Sequence, residues 1–173
     1  MKKLLVLLLL SSFSLSLLSQ SKEAGTDREE IKKYMTSRDK EQMLSVSKDD
    51  EDVQAVLKQY SLAIEKLDLT GTEILFTSDS QIFESGGNEG TYTRYLEQHL
   101  IPELKEFSSF KYSDYKVDVR VDGNYAFATE TYIYSIVLAK DNSEVKRMGV
   151  TTSVLKKLKG DWKIMISHNS SRR

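Results

Sequence analysis

After Phe110 the apolar residues stop recurring at helical intervals and begin to alternate, almost to the end of the chain. Val117, Val119 and Val121 stand between polar neighbours, and Asp122-Gly123-Asn124 makes a turn. Tyr125 to Leu138 is a long run rich in aromatic and β-branched residues. Lys140-Asp141-Asn142-Ser143 turns the chain, Val145 to Lys157 returns, and Lys159-Gly160-Asp161 turns it again before Trp162 to His168. Strand-type runs joined by short Gly, Asn and Asp turns predict an antiparallel meander. Strands of this length bend or carry bulges when they wrap around other elements.

What precedes the meander is mostly helical. Asp49-Asp50-Glu51-Asp52 suits the first turn of a helix, where the dipole favours negative charge. Val53, Val56, Leu57, Tyr60, Ile64 and Leu67 then fall on one helical face. Thr70 is placed to cap a short helical segment through Phe76, although Gly71 weakens it. Gln81 to Ser85 reads as a short strand, and Gly86 to Gly90 as a loop. Thr91 can cap a helix whose inner face carries Tyr92, Tyr95, Leu96, His99, Leu100, Leu104 and Phe107, with Pro102 bending it. Helices followed by a meander predict an α+β fold: a strongly curved antiparallel sheet packed on N-terminal helices around a central pocket.

Met1-Lys2-Lys3, the aliphatic run Leu4–Leu10 and the serine-rich stretch to Ser19 have the three parts of a secretory signal. The expected organisation is a signal peptide over 1–19, a polar tether over 20–48 with a possible short helix at Arg28–Met35, and a folded domain over 49–173. The run is too short and too rich in serine for a membrane anchor of about 20 apolar residues. The expected location is periplasmic or secreted. There is no cysteine, so disulfides, thiol catalysis and zinc–thiolate sites are excluded, as is a cysteine-anchored lipoprotein. Formal charge is −1, and losing Lys2 and Lys3 would make it −3. No basic stripe dominates, which argues against nucleic acid as a partner.

Four segments in order resemble the nuclear transport factor 2-like superfamily, in particular its SnoaL-like branch. They are the opening helix with Leu75-Phe76-Thr77-Ser78-Asp79, the Gly90 loop leading into the Tyr92–Phe107 helix, Asn124-Tyr125-Ala126-Phe127-Ala128, and Lys159 to Ser170 around Gly160-Asp161-Trp162. The resemblance implies a cone-shaped fold with a pocket between sheet and helices. It also implies a range of roles: isomerase, cyclase, dehydratase, ligand-binding protein or association domain, the last often dimerising through the outer face of the sheet. Fold alone does not choose among them.

The candidate catalytic residues are His168, His99 and Glu130. Regular alternation puts Trp162, Ile164, Ile166 and His168 on one face, so His168 is expected in the pocket as acid/base, ligand or donor, or as a tether for the strand end. His99 lies on the apolar stripe of its helix, as a core residue or as part of a shared site. Glu84 shares parity with Ile82 and would join the two histidines, but no metal-binding spacing is present and neither metal nor cofactor is expected. Glu130 shares its face with Ala126, Ala128, Tyr132 and Tyr134. On the concave side it would be a base with a raised pKa. The opposite parity, with Phe127, Ile133 and Val137, is at least as apolar, which favours the convex side. Tyr60, Tyr92, Tyr95 and Trp162 complete the expected pocket lining. The combined expectation is an exported domain binding a small, partly apolar ligand and dimerising through its sheet. Proton-transfer catalysis and a purely associative role are the alternatives.

Overall fold

A computed structural model describes residues 37–173. The signal peptide, the Arg28–Met35 helix and the first part of the tether lie outside the described residues. Helix α1 (Ser37–Glu65) begins well before Asp49. The acidic run is therefore inside the helix, and Asp49 has a different use. Its carboxylate accepts hydrogen bonds from Lys157 Nζ and from Trp162 Nε1 at 3.3 Å, which pins the helix to the end of the meander. The Lys157 hydrogen bond holds the Asp49 carboxyl below the usual aspartate range.

A 3-10 turn (Thr72–Leu75) leads into β1 (Phe76–Glu84), which starts earlier than the expected strand. The expected loop at Gly86–Gly90 is a hairpin instead: β2 (Gly87–Gly90) folds back on β1. The expected helix over Tyr92–Phe107 is divided into α2 (Tyr92–Tyr95), a π-turn (Leu96–Leu100) and α3 (Ile101–Leu104). Pro102 explains the division. It has no N–H, and its ring would strike the carbonyl of residue 98 in a regular helix. The chain widens to a π-turn, in which Ile101 N–H donates to the Leu96 carbonyl.

The meander follows as β3 (Phe107–Asp122), β4 (Tyr125–Leu138), β5 (Glu144–Leu158) and β6 (Asp161–Arg172). The six strands form one sheet in the order β2-β1-β6-β5-β4-β3. The sheet is mixed rather than wholly antiparallel, because β1 lies parallel to β6. A parallel neighbour requires a long crossover, supplied here by everything between β1 and β6. None of the described helices is long and apolar enough to cross a membrane.

The inner face of the sheet and the helices enclose the core. Val53, Leu57 and Ile64 of α1 are buried there with Phe76, Tyr92, Leu155, Trp162 and Ile164. Leu57 and Leu155 are almost wholly covered; each such side chain contributes roughly 2 kcal/mol by leaving water. The Phe76 and Tyr92 rings stack with centroids 3.5 Å apart, and Tyr60 meets both edge-on. Ala126 and Ala128 are buried while Phe127 between them is 52% exposed. That fixes which parity of β4 faces inward.

Two bulges aim side chains. In β3, Ser113 faces Ile133 but Lys116 faces Thr131, so one extra residue is inserted. Asp114 takes the left-handed conformation there (φ 51°), one that Asp tolerates better than most residues. In β6, Ile164 pairs with Leu155 and Ile166 with Val154, which leaves Met165 as the extra residue.

Candidate functional site

The inward parity of β4 carries Glu130 into the interior, on the concave side and not the convex side that apolar content favoured. The residue is 7% exposed. Burial pushes its carboxyl up to about 7, and a hydrogen bond from the Tyr115 hydroxyl to Oε1 opposes part of that shift. Tyr115 is its one hydrogen-bond partner among the described residues. Burial, followed by the charge of Glu130, raises the Tyr115 phenol far above its ordinary range, so it remains a donor.

Glu130 lines an enclosed lobe of about 60 Å³ with Tyr60, Tyr95, Tyr112, Tyr132 and Asn169. A second lobe of about 100 Å³ shares Tyr95, Tyr112, Tyr132 and Asn169 and extends to Glu84, Glu103 and Tyr134. An open groove of about 660 Å³ runs outside, between α1 and β3. Ser61 and Tyr112 border both the groove and the inner lobe, and Tyr115 borders the groove while holding Glu130. One layer of side chains thus separates the buried carboxyl from solvent.

Tyr112 and Tyr115 both face inward although they are three residues apart in a strand. The β3 bulge makes that possible. Without it, alternation would send one of them outward. Tyr112 is held further by its backbone N–H, which donates to Glu65 Oε1 of α1 at 2.8 Å. Tyr132 lies across from Gly149 in the β4–β5 register, with its ring over the glycine.

The β6 bulge has the opposite consequence for His168. Trp162 and Ile164 are buried as expected, but Met165 resets the parity. Ser167 and Asn169 now line the interior, and His168 is exposed on the outer face opposite Thr152. The grouping of Ile166 and His168 with Trp162 is therefore corrected. Trp162 and Tyr92 are core residues and line neither lobe. Tyr92 shares a 2.7 Å hydrogen bond with Thr72, and burial raises its phenol to about 12.

His99 and Glu84 do come together. His99 Nε2 lies 3.5 Å from Glu84 and 3.8 Å from Glu103, while Nδ1 lies 3.4 Å from Glu89. The Tyr95 hydroxyl donates to Glu84 Oε2 at 2.8 Å, linking this group to the cavity wall. Burial, then repulsion from Glu84, raises the Glu103 carboxyl. His99 itself lines neither lobe. No group of His, Asp and Glu among the described residues is arranged to hold a metal ion.

Sequence reasoning missed Tyr112, Tyr115, Tyr132 and Asn169. Tyr115 was accessible: continuing the Val121, Val119, Val117 alternation backward reaches it. Asn169 was not, because its orientation depends on a bulge with no sequence marker.

A six-stranded mixed sheet packed against helices, with a cavity between them, is the α+β cone fold. The sequence profile of the SnoaL-like domain matches residues 53–172, and the chain belongs to that family. The solved structures it is similar to have the same fold. A nuclear transport factor 2-like superfamily protein from Salmonella enterica serovar Typhimurium has TM-score 0.66 at 20% identity, covering 73% of this chain and 93% of its own. A proposed dehydratase of that family from Streptomyces avermitilis has TM-score 0.64 at 17% identity, covering 73% and 98%. A proposed ketosteroid isomerase from Shewanella frigidimarina has TM-score 0.59 at 23% identity, covering 69% and 94%. No curated protein matches the chain.

Proposed function

We propose that the domain binds a small, partly apolar ligand in the two-lobed interior, with Glu130 as its buried polar anchor. The observation that carries this is Glu130 itself. Burying a carboxyl with a single hydrogen-bond partner costs stability, and a cavity beside it supplies a reason to keep it. The lobes set the size. A cavity of about 150 Å³ holds one benzene, and neither lobe alone, at about 60 and 100 Å³, reaches that size, so a one-ring ligand requires the tyrosines shared by the two lobes to move.

The carboxyl also favours a second reading, proton transfer on the bound ligand. A group titrating near 7 can both accept and give a proton at neutral pH. Relatives described as a proposed isomerase and a proposed dehydratase fit that chemistry.

A nitrogen-15 NMR screen of one-ring compounds against the protein tests the binding reading. Hits should converge on the amides of Tyr95, Tyr112, Tyr132 and Asn169, and should be lost in Ser153→Leu, which fills the inner lobe at a buried position. A melting curve shows whether that variant is folded. Hits scattered over the surface, or unaffected in a folded Ser153→Leu protein, would overturn the assignment.

We propose further that the outer face of the sheet pairs with a second copy. Tyr125, Phe127, Met148 and Val150 are 40–52% exposed there, on adjacent strands β4 and β5. The two pairs are separated by Thr129 and Thr152, and exposed apolar side chains on one sheet face favour an interaction surface. Phe127→Glu should convert a dimer to a monomer in sedimentation analysis. A wild-type protein that is monomeric at every concentration tested excludes the dimer.

A further inference from the structure

The ionisable carboxyls lining the interior are all of one sign. Glu130 lines the inner lobe, and Glu84 and Glu103 line the outer one. No Lys, Arg or His lines either lobe. Glu130 is more than nine-tenths buried, and its Oε2 accepts no hydrogen bond among the described residues. That oxygen belongs to a side chain lining the cavity and is not sealed off: Thr77 Oγ1 is the one buried side-chain polar atom without a partner among the described residues.

The rest of the wall is aromatic. Tyr95, Tyr112 and Tyr132 border both lobes, and Phe107, Phe110 and Tyr134 border the outer one. Ring faces are electron-rich and attract cations. Several are already fixed against one another: Phe110 stacks on Tyr134 at 5.5 Å, and Tyr112 meets Tyr132 edge-on at 4.9 Å. Such a wall needs little ordering when a ligand enters.

From these two observations we infer that the ligand is a small organic cation, a protonated amine on a ring or short hydrocarbon. Its ammonium group would be held by the interior carboxylates and the tyrosine faces. An anion would meet three carboxyls with no Lys, Arg or His lining either lobe to offset them; His99 stands behind Glu84 and Glu103, at 3.5 and 3.8 Å, outside both lobes. A neutral ligand could satisfy the rings but would leave the free oxygen of Glu130 without a charged partner. The inference rests on the pocket reading above and adds the charge of the occupant.

Three matched probes separate the two: cyclopentylamine, cyclopentanol and cyclopentanecarboxylate, each titrated into the nitrogen-15-labelled protein at pH 7.5. The amine should bind at the cavity amides roughly tenfold more tightly than the alcohol, and the carboxylate should not saturate. Glu130→Gln and the pair Glu84→Gln with Glu103→Gln should each reduce the preference for amine over alcohol. A melting curve shows whether each variant is folded. Equal affinity for amine and alcohol would overturn the cation inference and leave the pocket reading standing. A preference unchanged in all the folded Gln variants would also overturn it. Failure of all three probes to shift the cavity amides would overturn the pocket reading and the inference with it.

Discussion

Glu130→Gln is expected to make the protein more stable at pH 8 by about 2–3 kcal/mol, and to change little at pH 4. The sign follows from linkage. The carboxyl sits near 4.5 in the unfolded chain and at about 7 in the folded protein. Between those values the unfolded state has released its proton while the native state retains it. The native state binds more protons there, so stability falls as pH rises through the window. Above 7 both states are ionised and the full penalty of a buried charge persists. Gln has the same shape without the charge, and its amide oxygen can still accept the Tyr115 hydroxyl. Urea unfolding at pH 4, 6 and 8, with unchanged m-values, would read the difference directly. Wild-type and variant curves that stay parallel across the range would mean the carboxyl is not held in a dry site.

A stabilising loss of charge has a functional meaning. A residue that costs stability and is replaced with gain is typical of binding and catalytic positions. Its sequence signature here was an acid in an otherwise apolar strand, and that much was legible. Its direction was not. Phe127, Ile133 and Val137 are as apolar as the inward set, so composition could not choose the face of β4. The exposed outer strip containing Phe127 competes with the core for the same kinds of residue.

The larger elements were readable because their cause is periodic. The α1 stripe through Val53, Leu57 and Ile64 and the alternating runs of β3 to β5 follow directly from side-chain spacing. The failures lie where one residue is inserted. Met165 resets β6, turning His168 outward and Asn169 inward, and neither residue announces this. The Asp114 bulge does the reverse, bringing Tyr112 and Tyr115 to the same side. Cavity geometry in this fold depends on such insertions, another lying between Phe107 and Ser109 of β3, so a site read by strict alternation is right on one side of each bulge and inverted on the other.

Gly149→Ala should cost about 1–3 kcal/mol and disturb the cavity wall. A methyl group at this position would lie 2.2 Å from Tyr132 Cε2 and 2.7 Å from Cζ, closer than any real contact allows. The backbone at Gly149 is not in the left-handed region, so the cost would come from the ring and not from strain in the main chain. Tyr132 is restrained in turn by a 2.9 Å hydrogen bond between its hydroxyl and Thr151 Oγ1, and by packing against Tyr112 and Tyr115. The ring can yield only by breaking those contacts. A double-mutant cycle isolates the clash. In a Tyr132→Ala background the Gly149→Ala change should be nearly free, or favourable because alanine reduces the entropy of the unfolded chain. Additive costs in that cycle would show that the glycine is required for some reason other than the ring above it. Strong coupling would tie the shape of the pocket to a residue that carries no side chain of its own.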